Sequence, residues 1–397
     1  MIEMNKPAIE GGRPVREKIL PFAPPSIGQE EIDSVVEVLR SKWITMGKRV
    51  VELENRLQSY IGTKNVIVVD SCTAAMHLTL LANNVGPGDE VIVPSFTFTA
   101  TANVVLEVGA KPVFVDIDKE TYNINPEEIR KHITPKTKAI IPVHYAGQPC
   151  DMDEINKIAR EHNLIVIEDA AHAIGARYKD HLIGHENDVC FSFYATKNMT
   201  TGEGGAIATQ NSDVAERLRT LRLHGIDKDA WKRYAAEGSW YYEVKEAGWK
   251  YNMTDVAAAM GIEQLKKLDS FIRKRREIAE FYSKNIDQEL FTLPAEARYA
   301  YHARHLYPIL LNLDKLKISR NHFIEAMLKE GVQTSVHFIP LHRQPLYQKL
   351  GYGNIALPVT EDVYSRTVSL PIFTDMSVDD INDVILAVNR IARYYRK

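Results

Sequence analysis

The chain has 397 residues, 45% hydrophobic and 25% charged, and its 49 Lys and Arg stand against 52 Asp and Glu for a net charge of −3. That is the composition of a globular protein, and its balanced charge offers no general field for nucleic acid or a membrane surface. With Gly 21 and Pro 18, collagen-like and largely disordered chains are excluded as well.

Residues 1–30 read as an extended arm, interrupted by Gly11-Gly12, Pro14, Pro21, Pro24 and Pro25. Ile32, Val35, Val36 and Leu39 then fall at helical spacing between Glu30 and Leu39. From Val66 a rhythm sets in. Short apolar strands are expected at Val66–Val69, Val91–Val93, Pro112–Val115, Ala139–Val143, Leu164–Ile167, Cys190–Phe193 and Ala206–Ala208. Helices are expected between them at Ala74–Ala82, Thr99–Leu106, Pro126–His132 and Asp151–Glu161, the last with Asp151 and Glu154 in capping-box spacing. Alternating strands and helices of this kind make an α/β fold with a mostly parallel sheet covered on both faces.

The second half changes character. Thr254–Leu268 and Ser270–Ile286 read as two helices, His305–Leu311 and Val332–Phe338 as strands, and Ser319–Glu330 and Ser377–Tyr395 as helices. This α+β pattern predicts three parts: an arm over 1–30, a large domain over 31–269 and a smaller domain over 270–397.

Cys72, Cys150 and Cys190 are odd in number and far apart, so neither a disulfide framework nor a zinc spacing is expected and a reduced, cytoplasmic setting fits best. Met1-Ile2-Glu3-Met4 brings an early acid with no apolar run behind it, which argues against a signal peptide. No apolar stretch approaches the about 18 residues of a transmembrane helix.

Parallel sheets bind ligands in the loops at their strand C-termini. After Ile167 comes Glu168-Asp169-Ala170-Ala171-His172. An acid there either caps the next helix or holds a cationic ligand group. After Phe193, Lys197 stands between an aromatic strand and Gly202-Glu203-Gly204-Gly205. A lysine there usually points into solvent; held in a pocket, its lowered pKa suits it to Schiff-base chemistry. After Val69, Ser71-Cys72-Thr73-Ala74-Ala75 opens a helix with small residues, and free N–H groups at such an end favour phosphate. After Val93, Pro94-Ser95-Phe96-Thr97-Phe98 offers an aromatic that belongs either to the core or against a flat ring. Together the four loops supply an anion site, a ring face, an acid and an amine, the set pyridoxal 5′-phosphate (PLP) requires.

Glu168-Asp-Ala-Ala-His172, Ser192-Phe-Tyr-Ala-Thr-Lys197 and Thr201-Gly-Glu-Gly-Gly205 resemble the DegT/StrS-type nucleotide-sugar aminotransferases, which are fold-type I PLP enzymes. Gly248-Trp-Lys-Tyr-Asn-Met-Thr-Asp255 and Val336-His-Phe-Ile-Pro340 extend the resemblance through nearly the whole chain. It implies that Lys197 forms the Schiff base and shuttles the proton, and that Asp169 keeps the pyridine nitrogen protonated. His172 would lie against the ring near its 3-hydroxyl, with Phe98 on the other side. Thr73, Ala74 and Ser192 would bind the phosphate, and Asn252 the phosphate of a neighbouring subunit, making a homodimer the working unit. A dehydratase branch of the family has histidine where Lys197 stands, so transamination is favoured. The implied reaction is ping-pong: L-glutamate leaves pyridoxamine phosphate, which aminates a nucleotide-linked keto-sugar. No metal, nucleic acid or membrane partner is implied.

Arg217, Arg219, Arg222, Lys228, Lys232 and Arg233, with Trp231 and Tyr234 among them, would either meet a sugar diphosphate and its base or form a solvated face. The 229–234 stretch and Tyr242-Glu-Val244 resemble members that aminate carbon 4 of a UDP-sugar. His337 is expected on the substrate side, and His342 and Arg343 are weaker candidates. Gly351-Tyr-Gly353-Asn-Ile-Ala356 fits a dinucleotide fingerprint only by letter, since Leu357-Pro358 blocks the helix that must follow. A PLP lyase or dehydratase, and a non-enzymatic PLP- or sugar-sensing regulator, are the alternatives.

Overall fold

The computed structural model describes residues 6–226 and 241–397. A seven-stranded sheet is built from β1 (Asn65–Val69), β2 (Glu90–Pro94), β3 (Lys111–Val115), β4 (Thr137–Ile140), β5 (Ile165–Asp169), β6 (Asp188–Ser192) and β7 (Gly205–Thr209). Its order is β1-β7-β6-β5-β4-β2-β3. β6, β5, β4, β2 and β3 pair in parallel, and only β7 runs against its neighbours, with Gly205 opposite both Val69 and Ser192. The expected mostly parallel sheet is therefore present, and the C-termini of its six parallel strands share one edge.

Period-two alternation sorts the strand residues between two faces. Ile67, Val69, Cys190 and Ile207 pack with α3 (Cys72–Ala82), α4 (Ala100–Glu107) and α7 (Ser212–Leu221). Val66, Val68, Val189, Phe191, Ala206 and Ala208 pack on the other side, against α2 (Lys48–Ile61) and the first half of α8 (Asp255–Asn285). Farther along that side, Ile92, Val115, Ile140 and Val166 meet α5 (Pro126–His132) and α6 (Met152–His162). Asp151 caps α6 by accepting the Glu154 N–H.

A second, three-stranded antiparallel sheet joins β8 (Phe291–Thr292), β9 (Tyr307–Leu311) and β10 (Thr367–Leu370). Its core takes Tyr307, Ile309, Leu311, Val368 and Leu370 together with α9 (Arg320–Lys329) and α10 (Val378–Tyr394). The arm packs here. The Ala8 and Val15 amides donate to buried Glu330, and Leu20 bridges Val332. Its helix α1 (Gln29–Ser41) lies against α8.

Two expectations are corrected. Thr254–Leu268 and Ser270–Ile286 are one helix of 31 residues, because Asp269-Ser270 carries neither proline nor glycine to break it. Ile262, Leu265 and Leu268 serve the first core, while Ile278, Ala279 and Tyr282 serve the second. Val332–Phe338 is no strand. It meets its neighbours through single bridges, Val332 with Leu20 and Ser335 with Ser369, which point its residues in different directions. Among the described residues no helix is long and apolar enough to cross a membrane.

Candidate active site

The edge where the parallel strands end opens into a cavity of about 430 Å³. Of the residues expected in a site, Thr73, Phe98, Asp169, His172, Ser192, Lys197 and His337 all line it.

At the end of β1, Ser71 caps α3 by accepting the Ala74 N–H at 3.1 Å. That turns the Ser71 and Thr73 side chains to the cavity while Ala74 is buried behind them, its amide already engaged. Gly205 permits this packing. A Cβ there would lie 2.5 Å from the Ser71 carbonyl carbon and 2.6 Å from the Cys72 nitrogen, closer than any side chain tolerates. The result is a cradle of hydroxyls at a helix N-terminus, suited to an anion.

At the end of β5, Asp169 is 4% exposed. Burial pushes its carboxyl above the ordinary carboxylate value, and the Thr101 hydroxyl (2.8 Å) and Ala171 N–H (3.1 Å) offset part of that by donating to it. After β6, the loop is pinned by hydrogen bonds from Asn198 to the Ala303 carbonyl, from the Thr200 amide to Gln264, and from Thr201 N to the Phe193 carbonyl. Lys197 projects from this pinned loop, and burial lowers its ammonium from 10.5 to about 8, Asp169 opposing the shift. A lysine with that value has free amine near neutral pH and can act as a nucleophile.

Around these two groups stands an imidazole and phenyl wall. His172 lies 4.5 Å from His305 and stacks on Phe338 at 5.9 Å and 20°. Its Nδ1 accepts the Ala146 N–H at 3.3 Å, which leaves the proton on Nε2. Burial holds His172 and His305 well below the usual histidine range and brings His337 down to about 4, with Lys197 contributing. All three are neutral at physiological pH. Phe98 is 59% exposed and faces Phe338 at 5.9 Å.

The remaining expected residues lie elsewhere. Asn252 bridges Val69 but is not on the wall of its own chain's cavity, and its Oδ1 is buried without a partner. Arg217 pairs with Glu246, and buried Arg222 pairs with Glu54 and the Val68 carbonyl, so both are occupied by structure. His342 and Arg343 engage Glu361. Trp231 and Arg233, with Lys228, Lys232 and Tyr234, lie outside the described residues. Sequence reasoning missed Phe22, Thr101, His305 and Phe338. Three line the cavity and Thr101 holds Asp169. Phe22 and Thr101 carry no local pattern, while Phe338 stands in the 336–340 motif and His305 opens an expected strand.

The donor set fits PLP. A hydroxyl cradle suits the phosphate, a carboxylate the pyridine nitrogen and a low-pKa amine the aldehyde, with an aromatic to face the ring. The profile of the DegT/DnrJ/EryC1/StrS aminotransferase family matches residues 25–389. The spore coat polysaccharide biosynthesis protein SpsC of Bacillus subtilis is 46% identical over 95% of this chain and 98% of its own. The PLP form of Spr1654 from Streptococcus pneumoniae superposes with a TM-score of 0.87 at 33% identity, covering 95% of this chain and 99% of that one. DesI, solved with its TDP-sugar product, gives 0.85 at 30% identity over 96% of this chain and 95% of its own. The chain belongs to the DegT/DnrJ/EryC1/StrS family and is a PLP-dependent sugar aminotransferase.

Proposed function

We propose that the enzyme moves the amino group of L-glutamate to a nucleotide-linked keto-sugar, at carbon 4 of a UDP-sugar. The observation that carries the reading is that Lys197, lowered to about 8, and buried Asp169 share one cavity wall. DesI was solved with a nucleotide-linked sugar, which supports an acceptor of that class. The UDP and carbon-4 assignments rest on the sequence resemblance over 229–234 and Tyr242–Val244. SpsC is named for polysaccharide biosynthesis, and surface polysaccharide assembly is the use we propose here.

When bound, PLP supplies an electron sink for the carbanion formed at the amine carbon. The protein's own groups do the rest. Lys197 would hold the cofactor through its side-chain amine, and the same amine would take up and give back the proton of the transfer. Positioned proton transfer of this kind contributes about 10²–10⁴-fold. Asp169 would accept a hydrogen bond from the pyridine nitrogen and favour its protonated form. Neutral His172, with Nε2–H as a donor, and Phe98 would be the side chains that face the ring. Thr73 and Ser192 hold the phosphate, with Ala74 setting the turn through the Ser71 cap. His337 faces the sugar, and Arg233 and Trp231 meet its nucleotide. Asn252 would reach the phosphate of the partner subunit in a cytoplasmic homodimer, with its Nδ2 as the donor.

The test is the visible absorption of the PLP-loaded protein before and after glutamate, followed by mass analysis of products from UDP-keto-sugars. Loss of the band with glutamate and a UDP-linked amine are expected. A band indifferent to glutamate overturns the donor assignment, and an amine formed only from other nucleotides overturns the acceptor.

A further inference from the structure

Outside the cavity, three side chains from distant segments form one hydrogen-bonded line. Ser95 Oγ lies 2.8 Å from His342 Nδ1, and His342 Nε2 lies 2.7 Å from Glu361 Oε1. The backbone reinforces it: the Leu341 N–H donates to the Ser95 carbonyl at 2.9 Å and the His342 N–H to Ser95 Oγ at 3.2 Å. The Glu361 carboxylate only accepts, so Nε2 carries the ring proton and the Ser95 hydroxyl donates to Nδ1. Arg343 closes the line on Glu361, its Nε donating at 2.8 Å. The trio has the connectivity of a hydrolytic triad, but Ser95 is 0% exposed and no substrate reaches it. Its use must lie in what it holds.

It holds two walls of the active site against each other. Ser95 begins the turn that carries Phe98, and His342 ends the segment that carries His337 and Phe338. The other end of that segment is gripped by Tyr145, whose hydroxyl donates to the His337 carbonyl at 2.6 Å, and by Ser369 at 2.9 Å from His337 Nδ1. Without the side-chain line, the far end rests on the backbone bonds to Ser95 alone, and Phe98 is held less firmly against Phe338.

We propose that His342 is a positioning residue: through Ser95 and Glu361 it holds Phe98 against Phe338, and so sets the phenyl side of the site that faces the flat cofactor ring. The inference rests on the reading that Phe98 faces that ring. Losing a buried hydrogen-bond line without collapse of the fold corresponds to about fivefold in affinity.

The experiment titrates the dialysed protein with PLP, reading the visible band, and follows amide exchange over residues 337–343. His342→Ala is expected to weaken PLP binding about fivefold and to speed exchange at 337–340, and Glu361→Ala to do the same. Glu361→Gln keeps an acceptor for His342 Nε2–H and is expected within about twofold of wild type. A purely structural role would lower thermal stability in all three and leave PLP affinity alone. Folded His342→Ala with wild-type affinity overturns the proposal. Should that variant not fold, equal affinities for Glu361→Ala and Glu361→Gln overturn it instead. Phe98→Ala is the control: unchanged affinity there overturns the ring-facing reading itself, separately from the positioning.

Discussion

Thr101 Oγ1 donates to Asp169 Oδ2 across 2.8 Å, so a helix that follows β2 restrains the carboxylate that ends β5. Thr101 is itself 0% exposed and also lies 2.9 Å from Thr97 Oγ1, which ties the restraint to the turn bearing Phe98. Replacing Thr101 with Val keeps the shape and removes the donor. The Asp169 pKa should then rise further, because burial is no longer offset at that oxygen. Activity needs the ionised carboxylate, so the acid limb of the kcat profile is expected to move to higher pH, with about tenfold lower kcat on that limb. Thr101→Ser should restore the wild-type profile, and an unmoved limb in Thr101→Val would reject the coupling.

Asp169→Asn is expected to retain part of the cofactor while losing about 10²–10⁴-fold in kcat, since an amide cannot hold a pyridinium proton. Steady-state rates with matched PLP occupancy decide it.

Lys197→Ala should show no band from covalently held cofactor and no turnover above the about 10²–10⁴-fold loss set by the missing proton carrier. A normal rate in that variant would remove the assignment.

The lowered Lys197 value has a sign that can be checked in the cofactor-free protein. With a folded value of about 8 against the ordinary 10.5, the free amine grows steeply as pH rises toward 8 and levels above it. PLP capture followed by stopped flow should rise about tenfold per pH unit below 8 and then flatten. The unfolded chain holds the extra proton between the two values, so this group alone makes stability rise with pH across that window.

Gly205→Ala places a methyl group against backbone rather than against a movable side chain. We expect a loss of about 1–3 kcal/mol in thermal or urea unfolding and weaker PLP binding, because the strain falls on the Ser71 cap. A neutral substitution would mean that β7 shifts freely there.

The strands and four of the site loops were legible because a buried parallel strand leaves a continuous apolar run, and the residue after the run stands at the binding edge. Asp169, Lys197, Thr73 and Phe98 were found this way. Phe22, His305 and Phe338 were not, since each reaches the cavity from the arm or the second half of the chain through pairings such as Leu20 with Val332. The arginines between 217 and 222 stayed ambiguous in the sequence for a related reason. A cation beside an aromatic-rich stretch reads the same whether it awaits a phosphate or, as with buried Arg222, pairs with Glu54. The helix at 254–286 was split because its apolar stripe changes partners midway, and a change of partner resembles a change of element.

At a rise of 1.5 Å per residue, the unbroken α8 is a rod about 46 Å long that serves as a beam in both cores. Bending it at residue 270 would sever consecutive backbone hydrogen bonds in a helix interior. Any opening and shutting of the cavity must therefore come from the strips that lie beside the rod, such as the arm at Phe22 and the segment at His337.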